Sequence, residues 1–546
     1  MDATALDELV STTWMWVAAP LTAAAALVLT FRLRLPQILR LRDAFTSLRA
    51  HDAGAAGQLP PASATVLATV AVHGAIAAVA AATAVSLGGA GAIAWAWLFG
   101  LLVAPLRVAE AILARTAPAG RAIEVEGSLV GRLLGDPLSA LRAIGWALFV
   151  LLPCVGFLWF AGQHGEALAG VSAQLSASRW PLWVAVGLGA VIALLPSRRA
   201  GALWGWLAVV ALLALVTAIL IVFFSEPGRA IGGVGRAVSD ALEGATNVGA
   251  FTGAFVGEVA MAALLYLLPP LLATSGIEGA LHGEAQARTT KGQASAALLP
   301  SLAYVLVTTL LGLGLVATGA FSTVADDERP MREVRVYRTG FDTASQRVEA
   351  DRLYSRAIRV LEGEARMQGL ELATDRGMIV SPRFEEDGRP ADVAMRFEAG
   401  RVFLLQRPDE MGALRNRPIS EVDRIVVRGQ MLPRGARLVR AGTDRAGAWV
   451  TQLALWALIV LCGVAMGAWG LAITRTLSAR LPAIGARAAG LLPALGAAVC
   501  GLGLARLGVV STLAVALLAV LTALVLLARA PEAARLLQQQ PSKKKK

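Results

Sequence analysis

Long apolar runs separated by short polar stretches dominate the chain, and their lengths predict helices that cross a membrane. A transmembrane α-helix needs about 20 consecutive, mainly apolar residues. On this criterion the pattern predicts about eleven spans. They lie at residues 12–30, 62–87, 91–114, 143–162, 181–196, 202–224, 251–273, 297–320, 447–474, 486–505 and 508–528.

The pattern changes between residues 324 and 446, where charged residues are frequent and apolar runs are short. Two stretches there, REVRVYRTG and DVAMRFEAGRVFLLQR, alternate as strands do. The segment Thr343–Gly369 places Val348, Leu353, Ile358 and Leu361 at intervals that favour one helix face. The chain is therefore predicted to carry a small α+β soluble domain at 324–446. It is inserted between a first transmembrane part, 1–323 with spans one to eight, and a second, 447–530 with spans nine to eleven.

Composition and charge agree with a polytopic membrane protein. Of the 546 residues 56% are hydrophobic and 16% are charged, against about 25% charged in soluble domains. The net charge of +12 does not indicate nucleic-acid binding, because Lys and Arg concentrate in alternate loops and set topology. The loops predicted to be external, outside 324–446, carry only Arg179, Arg229, Arg236 and Arg506.

This charge bias predicts a multi-pass protein of the cell (inner) membrane, in contact with the lipid bilayer. The N-terminus and the 324–446 domain are predicted outside, and the C-terminus inside. Residues 531–546, which end in four lysines, are predicted to form a basic cytoplasmic tail.

Without the first span, ten spans remain, and they divide into two sets of five that start on opposite sides of the membrane. Such an arrangement is expected of an inverted repeat, in which the first helix of each half is interrupted. The first of these helices contains His73 and Gly74 near its middle. The second contains Pro269-Pro270, then Ser275-Gly276 and Gly279, which can end or unwind a helix.

Two stretches resemble the sodium:alanine (alanine or glycine:cation) symporter family. That family has a Gly-Gly-Pro-Gly-Ala turn, a Trp-x-Trp pair and a Lys-Tyr-Ala-Glu run, in this order. The stretch SLGGAGAIAWAWLFGLLVAPLRVAEAILAR places Gly88 to Ala92, Trp95, Trp97 and Arg107 to Glu110 at these positions. A weaker match is LLATSGIEGALHGEAQAR, whose Ser275, Glu278, Gly283 and Ala285 are similar to the family's Phe-Ser-Asn-Glu-Ala-Gly-x-Gly-Ser-Ala segment.

The resemblance implies a LeuT-like fold with five plus five helices and an extra N-terminal helix. It also implies symport, in which a small amino acid such as alanine and a coupling cation, sodium or a proton, are transported by alternating access. The two interrupted helices would then bind the substrate. The substrate-binding residues are expected to be His73, Gly74, Ala75, Ser275, Gly276, Glu278 and Gly279.

This chain departs from the family at two amide side chains and in the domain at 324–446. Ala75 stands where the family has Asn in the first interrupted helix, and Ile277 stands at the corresponding Asn of the second. These departures leave open a second hypothesis, a non-transporting relative. It would act as a membrane scaffold or sensor whose extracytoplasmic domain binds a protein or ligand partner.

Individual ionisable residues also have alternative interpretations. His73 is a buried, hydrogen-bonded neutral histidine, a residue lining the substrate path, or the carrier of a coupling proton. Glu278 either serves the site or lies at the cytoplasmic end of its helix. Arg107 and Glu110 are spaced to form an i,i+3 ion pair that is mainly structural.

No motif indicates an enzyme. The chain contains no Walker A loop, zinc motif, nucleophile elbow or kinase signature. The remaining histidines lie in different regions without ligand spacing. No catalytic residue, cofactor-binding residue or metal site is therefore predicted.

Overall fold

The chain forms two compact units in the computed structural model, one from Met1–Thr318 with Val439–Lys546 and the other from Gly319–Leu438. The structure describes residues 9–50, 59–115, 128–176, 178–195, 198–243, 260, 263–320, 325–342, 347–353, 357–365, 370–374, 377–398, 401–408, 414–433, 435–504 and 507–538.

The first unit consists of α-helices. Over the described residues, ten of its helices are long and apolar enough to cross a membrane, so the prediction of a polytopic membrane protein is confirmed. They are Leu9–Arg32, Pro61–Gly88, Gly91–Arg115, Ser139–Leu175, Gly201–Ser225, Ala263–Gly283, Thr290–Thr318, Ala448–Leu477, Ala483–Gly501 and Gly508–Ala528.

Three predicted spans differ in detail from the structure. The span predicted at 181–196 is the helix Trp180–Leu194, whose 15 residues are fewer than the about 20 needed to cross a bilayer at right angles. The span predicted at 143–162 continues through a second helix to Leu175. The span predicted at 251–273 begins among residues that are not described.

The helices are numbered in chain order, after a π-helical turn at Trp14–Ala18. They are α1 (Ala19–Arg32), α2 (Pro36–Leu39), α3 (Leu41–Ser47), α4 (Pro61–Gly88), α5 (Gly91–Arg115), α6 (Leu129–Leu134), α7 (Ser139–Ala161), α8 (Gln163–Leu175), α9 (Trp180–Leu194), α10 (Arg198–Ser225), α11 (Pro227–Glu243), α12 (Leu268–Ala273), α13 (Ile277–Gly283), α14 (Thr290–Ala296), α15 (Leu299–Thr318), α16 (Gly435–Asp444), α17 (Ala448–Leu477), α18 (Ala483–Gly490), α19 (Leu492–Gly501), α20 (Gly508–Ala528) and α21 (Ala530–Gln538).

The last of these helices occupies part of the predicted cytoplasmic tail. Ala533 and Leu537 of α21 are buried, and α21 packs on α5. The stretch from 531 to 538 is therefore a packed helix. Residues 539–546, which hold the four lysines, lie outside the described part of the chain.

Small residues let α17 pack closely in the middle of the helical unit. This helix packs against α4, α9 and α10 and is largely buried. A Cβ atom at Gly463 would lie 2.9 Å from the carbonyl oxygen of Ala185 in α9. Such close backbone approach holds helices together in a membrane, where no hydrophobic effect acts between them and lipid.

The second unit consists of antiparallel strands. A seven-stranded sheet has the order β1-β12-β7-β6-β2-β3, with β8 paired to β7, and a five-stranded sheet has the order β11-β10-β9-β4-β5. The strands are β1 (Ala325–Pro330), β2 (Arg335–Asp342), β3 (Arg347–Leu353), β4 (Ala357–Leu361), β5 (Glu364–Ala365), β6 (Leu370–Thr374), β7 (Gly377–Glu386), β8 (Arg389–Pro390), β9 (Val393–Glu398), β10 (Arg401–Pro408), β11 (Leu414–Arg417) and β12 (Ile425–Pro433).

Both sheets contribute to one apolar core. Val336, Leu372 and Phe384 of the larger sheet and Ile358, Val393 and Leu405 of the smaller one belong to the same buried cluster. This core packing explains why the apolar positions of the strands alternate with charged ones.

The helix predicted within Thr343–Gly369 is wrong, because the described part of this segment forms strands β3, β4 and β5. Burial in β4 has a period of two, with Ile358 and Val360 buried and Ala357 exposed. Glu362 and Gly363 have positive φ angles of 52° and 76° and connect β4 to β5 in a two-residue turn. Such turns favour a β-hairpin, and the described unit is therefore β-rich rather than α+β.

Crowding at Gly463 yields a stability prediction. We expect Gly463→Ala to lower the free energy of unfolding by about 1–3 kcal/mol, because the new methyl group would crowd a backbone oxygen and the Leu188 side chain of α9. Thermal unfolding of the purified protein in detergent measures this change. The matched control is Gly187→Ala, since no atom lies within 4 Å of a Cβ at that exposed glycine. Equal losses of stability in the two variants would contradict the packing described for α9 and α17.

Candidate functional site

The helix α4 is interrupted at Gly74, close to its middle. Gly74 has φ 38° and ψ −154°, whereas the helix continues on both sides. A glycine adopts this conformation without the steric cost that a Cβ atom imposes. The interruption removes backbone hydrogen bonds inside a buried helix, and the freed groups need other partners. The sequence predicted an interruption at this residue.

Side chains of α17 bind the backbone on both sides of this interruption. Trp469 donates its indole N–H to the carbonyl of Ala71 over 3.4 Å. Cys462 makes a hydrogen bond with the backbone of Ala75. The ring of His73 donates from Nδ1 to the carbonyl of Thr69 over 2.6 Å, since a carbonyl can only accept. His73 is therefore buried and hydrogen-bonded to its own helix.

A second histidine, His164 of α8, lies directly against Gly74. Its ring is fully buried and stacks on Phe160 with 4.3 Å between ring centroids. A Cβ atom at Gly74 would lie 2.6 Å from its Nε2. Within the described chain, neither ring nitrogen of His164 has a hydrogen-bond partner. The imidazole thus occupies the space beside the interruption, and both of its ring nitrogens are free to bind a ligand.

The second interruption separates α12 from α13. The chain turns at Thr274 to Gly276, where Gly276 has φ 84°. Pro269 and Pro270 lie at the start of α12 rather than at this turn, so the turn itself relies on Gly276. This break was also predicted from the sequence.

The two interrupted helices pack against each other, with the start of one beside the end of the other. Leu59, just before α4, pairs with Ala285, just after α13, in an isolated bridge. The backbone N–H of Leu59 donates to Glu284 over 3.0 Å, and that of Gln286 donates to Leu59 over 2.7 Å. The start of one interrupted helix is therefore bonded to the end of the other.

The helix α5 places a carboxylate at the second interruption. Glu110 Oε1 accepts hydrogen bonds from the backbone N–H groups of Gly276 and Gly279, both over 2.8 Å. These N–H groups lie at the start of α13, where helix dipoles favour a negative charge. A Cβ atom at Gly279 would lie 2.6 Å from Glu110 Oε1. Glycine at 279 is therefore needed for the carboxylate to approach.

Arg107 joins Glu110 to Glu278, and these three residues with Thr274 are called the Arg107 cluster. Its guanidinium lies 3.3 Å from Glu110 Oε2 and 3.1 Å from Glu278 Oε1. It also donates to Thr274 Oγ1 over 2.9 Å and to the carbonyl of Leu271. Thr274 in turn donates to Glu278 Oε1 over 2.7 Å. The predicted i,i+3 pair of Arg107 and Glu110 is thus present, and it is part of a larger buried network.

The seven residues expected to bind substrate fall at the two interruptions. Glu278 lies in the first turn of α13, not at the end of that helix. Its side chain contacts Arg107 and Thr274. The first interruption is linked to the second interrupted helix through Tyr304. The His73 and Tyr304 rings lie 5.9 Å apart, and Tyr304 donates to the carbonyl of Leu267 over 2.9 Å.

Several residues at the site could not have been found from the sequence. Trp469, Cys462, Tyr304 and His164 belong to other helices, and no motif connects them with Gly74. Arg107 was expected to pair only within its own helix. The sequence did contain one signal, the glycines, which adopt non-helical backbone angles at little steric cost. They located the interruptions but not the residues that contact them.

A cavity of about 230 Å³ opens where α4 starts and where α13 and α17 end. Pockets for drug-sized ligands measure about 300–1,000 Å³, so this cavity suits a smaller molecule. Glu284 and Arg475 form an ion pair in its wall. Its lining includes Ala280, Leu281, Glu284, Thr474, Arg475 and Ser478.

A double-mutant cycle tests the contact between Gly74 and His164. We expect Gly74→Ala to be strongly destabilising, because Ala would have a positive φ and its methyl group would overlap the imidazole. His164→Ala removes the overlap but not the backbone strain, which costs about 1–3 kcal/mol. The double variant should therefore lose less stability than the sum of the single losses, as measured by thermal unfolding. Strictly additive losses would contradict the contact.

Loss of Arg107 should be among the most destabilising changes in the helical unit. We expect Arg107→Ala to cost about 3–5 kcal/mol, because it leaves buried carboxylates without a cation. Arg107→Lys should recover only part of this loss, since an ammonium cannot reach all the acceptors of a guanidinium. Thermal unfolding in detergent provides the measurement.

Arg440→Ala is the control for Arg107→Ala. Arg440 pairs with Asp444, and both side chains are about half exposed, so its removal should cost about 0–1 kcal/mol. An Arg107→Ala protein as stable as the Arg440→Ala protein would contradict the role of the Arg107 cluster.

A family model matches the N-terminal part of the chain. Residues 2–267 match the model of the sodium:alanine symporter family, whereas a comparison with curated proteins gives no match. The matched range contains α4 and α5 and ends before α12. Over residues 2–267, the chain is similar to the sodium:alanine symporter family.

Proposed function

We propose that the protein is a secondary active transporter that moves a small amino acid together with a cation by alternating access. The observation that carries this proposal is the pair of adjacent helices that are both interrupted in the buried interior of the helical unit. Interrupted helices supply backbone groups and helix ends to charged ligands at membrane depth, where ordinary helices cannot. Similarity to a symporter family supports the same function.

The first interruption is the better candidate for the charged ends of an amino acid. At the second interruption, the backbone N–H groups of Gly276 and Gly279 already bind Glu110. At the first, the backbone around Gly74 is approached by an imidazole with unused nitrogens. His73, Gly74 and Ala75 would then contact the substrate from α4, and Ser275, Gly276, Glu278 and Gly279 would complete the site from α12 and α13.

The size of the surrounding residues supports a small substrate. The part of α4 that follows the break, from Ala75 to Ala84, contains mainly alanine, and most of its side chains are buried. Alanine, glycine and serine are the amino acids that such a site would accept without displacing large side chains. The substrate class therefore rests on packing as well as on the family.

A cavity at one end of the helices supports alternating access. The cavity is lined by the end of α13 and the end of α17, which the positive-inside rule assigns to the cytoplasmic side. A cavity open to the inside, with the N-terminus and the β-rich unit outside, is the proposed orientation. The two interrupted helices also support an inverted repeat of five plus five helices, as in the LeuT fold.

The β-rich unit supports a second function, that of a membrane sensor or scaffold without transport. It has its own apolar core and lies beyond the range that matches the family. In that case the unit would bind a protein or ligand outside the cell, and the helices would serve as an anchor.

Uptake into liposomes tests the transport proposal. We expect reconstituted protein to accumulate labelled alanine, glycine or serine under an inward cation gradient, with competition by the unlabelled amino acid. Ala75→Val should abolish uptake, because the added methyl groups would fill the interruption. The control is Ala147→Val, at an exposed position of α7, which should transport normally. No uptake of the three amino acids, together with no thermal shift on adding them, would favour the sensor or scaffold instead.

A further inference from the structure

The Arg107 cluster contains two acidic groups and one basic group. Arg107, Glu110 and Glu278 are each at most 2% exposed. If both carboxyl groups were ionised, the cluster would hold one uncompensated negative charge in the membrane interior. An ionised carboxylate without a counter-ion is costly there, so the charge requires either a proton or a bound cation.

The surplus falls on Glu278. Both oxygens of Glu110 are used, Oε1 by two backbone N–H groups and Oε2 by Arg107. Glu278 Oε1 receives Arg107 and Thr274. Glu278 Oε2 is buried and has no hydrogen-bond partner in the described part of the chain. This oxygen is therefore the position at which neutralisation would cost least.

A proton fits this position better than a metal ion. A metal ion takes several oxygen ligands, and the described residues contain no group of three or more acidic, histidine or cysteine side chains able to hold one. The guanidinium of Arg107, 3.1 Å from Glu278 Oε1, would also repel a metal cation. A proton needs only the single oxygen Oε2.

We propose that Glu278 binds and releases the coupling proton of this transporter. The proposal deepens the proposed function, and the coupling of this proton to transport rests on that function. On binding, a proton from water forms an O–H bond at Glu278 Oε2, and the cluster becomes neutral. On release, the same proton returns to water, and Glu278 shares Arg107 with Glu110.

A cavity lies close to Glu278 along the chain. Ala280 and Leu281 follow Glu278 along α13, Glu284 follows the end of that helix, and all three line the cavity. The distance from Glu278 to this wall is about one helical turn. A small movement of α13 would therefore expose Oε2 to the cavity.

Other ionisable groups on the helices packed against α13 make at least one polar contact of their own, although Nε2 of His73 and Nε2 of His282 have no hydrogen-bond partner in the described part of the chain. On α13 itself, His282 bonds to Gln293 over 2.8 Å. Arg115 of α5 donates to the carbonyls of His282 and Ala285, and Arg475 of α17 pairs with Glu284. The remaining groups are His73 of α4, bonded to Thr69, and Cys462 of α17, bonded to Ala75.

The cluster also connects the proton to the substrate site. Arg107 contacts Thr274 and Ser275, and Glu110 binds the backbone of Gly276 and Gly279. These contacts determine the conformation of the second interruption. Ionisation of Glu278 would strengthen its attraction to Arg107, and Glu278 would then compete with Glu110 for the guanidinium. The charge of Glu278 would therefore change how strongly Arg107 and Glu110 hold the second interruption.

Infrared spectroscopy tests the proton site without any substrate. We expect the reconstituted protein to show the C=O stretch of a protonated carboxyl group that disappears as the pH rises. Glu278→Gln should lack this band. The control Asp136→Asn should keep it, because Asp136 is a buried carboxylate paired with Arg529 away from the interruptions. Absence of a titrating band, or its persistence in Glu278→Gln, would overturn the proposal.

Transport measurements test the coupling. Glutamine mimics a protonated glutamate but cannot release a proton, so the rate of exchange of labelled amino acid at equal concentrations on both sides should vary with pH in the wild type but not in Glu278→Gln. The variant should lose accumulation driven by a pH gradient, which the wild type should show without sodium. Accumulation that requires sodium, or that survives in Glu278→Gln, would overturn the coupling role. A titrating band together with no transport by the wild type would reject the transporter but keep Glu278 as a proton site.

Discussion

The burial of one guanidinium between two carboxyl groups is the interaction on which the helical unit depends. Arg107 and Glu110 project from α5, and they bind the carbonyl of Leu271, the hydroxyl of Thr274 and the N–H groups of Gly276 and Gly279 at the second interruption. Removing Arg107 would leave two buried carboxyl groups without a cation, which is far more costly than losing a surface pair. The second interruption can therefore exist only together with this part of α5.

The first interruption is stabilised by different means. There, Trp469 and Cys462 of α17 bind backbone groups that the break leaves free, and His164 fills the space beside Gly74. The first interruption thus has neutral partners and unused imidazole nitrogens, whereas the second has charged partners. From this asymmetry we infer different roles, in which the first interruption receives the substrate and the second responds to the charge of Glu278.

The sequence predicted the features that depend on local chemistry. Apolar runs located the spans, and Gly74 and Gly276 located the interruptions, because only glycine adopts these conformations at low cost. Contacts between distant helices, such as that of His164 with Gly74, leave no local pattern. The helix predicted within Thr343–Gly369 was wrong because four apolar positions were weighed without the turn at Glu362-Gly363, which makes a β-hairpin.

The central claim is that the cavity at the ends of α13 and α17 is one state of an alternating-access cycle. Its most direct test is the reaction rate of Thr474→Cys, at a position in the cavity wall, with a water-soluble maleimide applied from the inside; the unsubstituted protein serves as blank. We predict that an amino-acid substrate with the coupling cation slows labelling, because the cavity closes as the opposite side opens. A labelling rate that is the same with and without substrate would contradict the account.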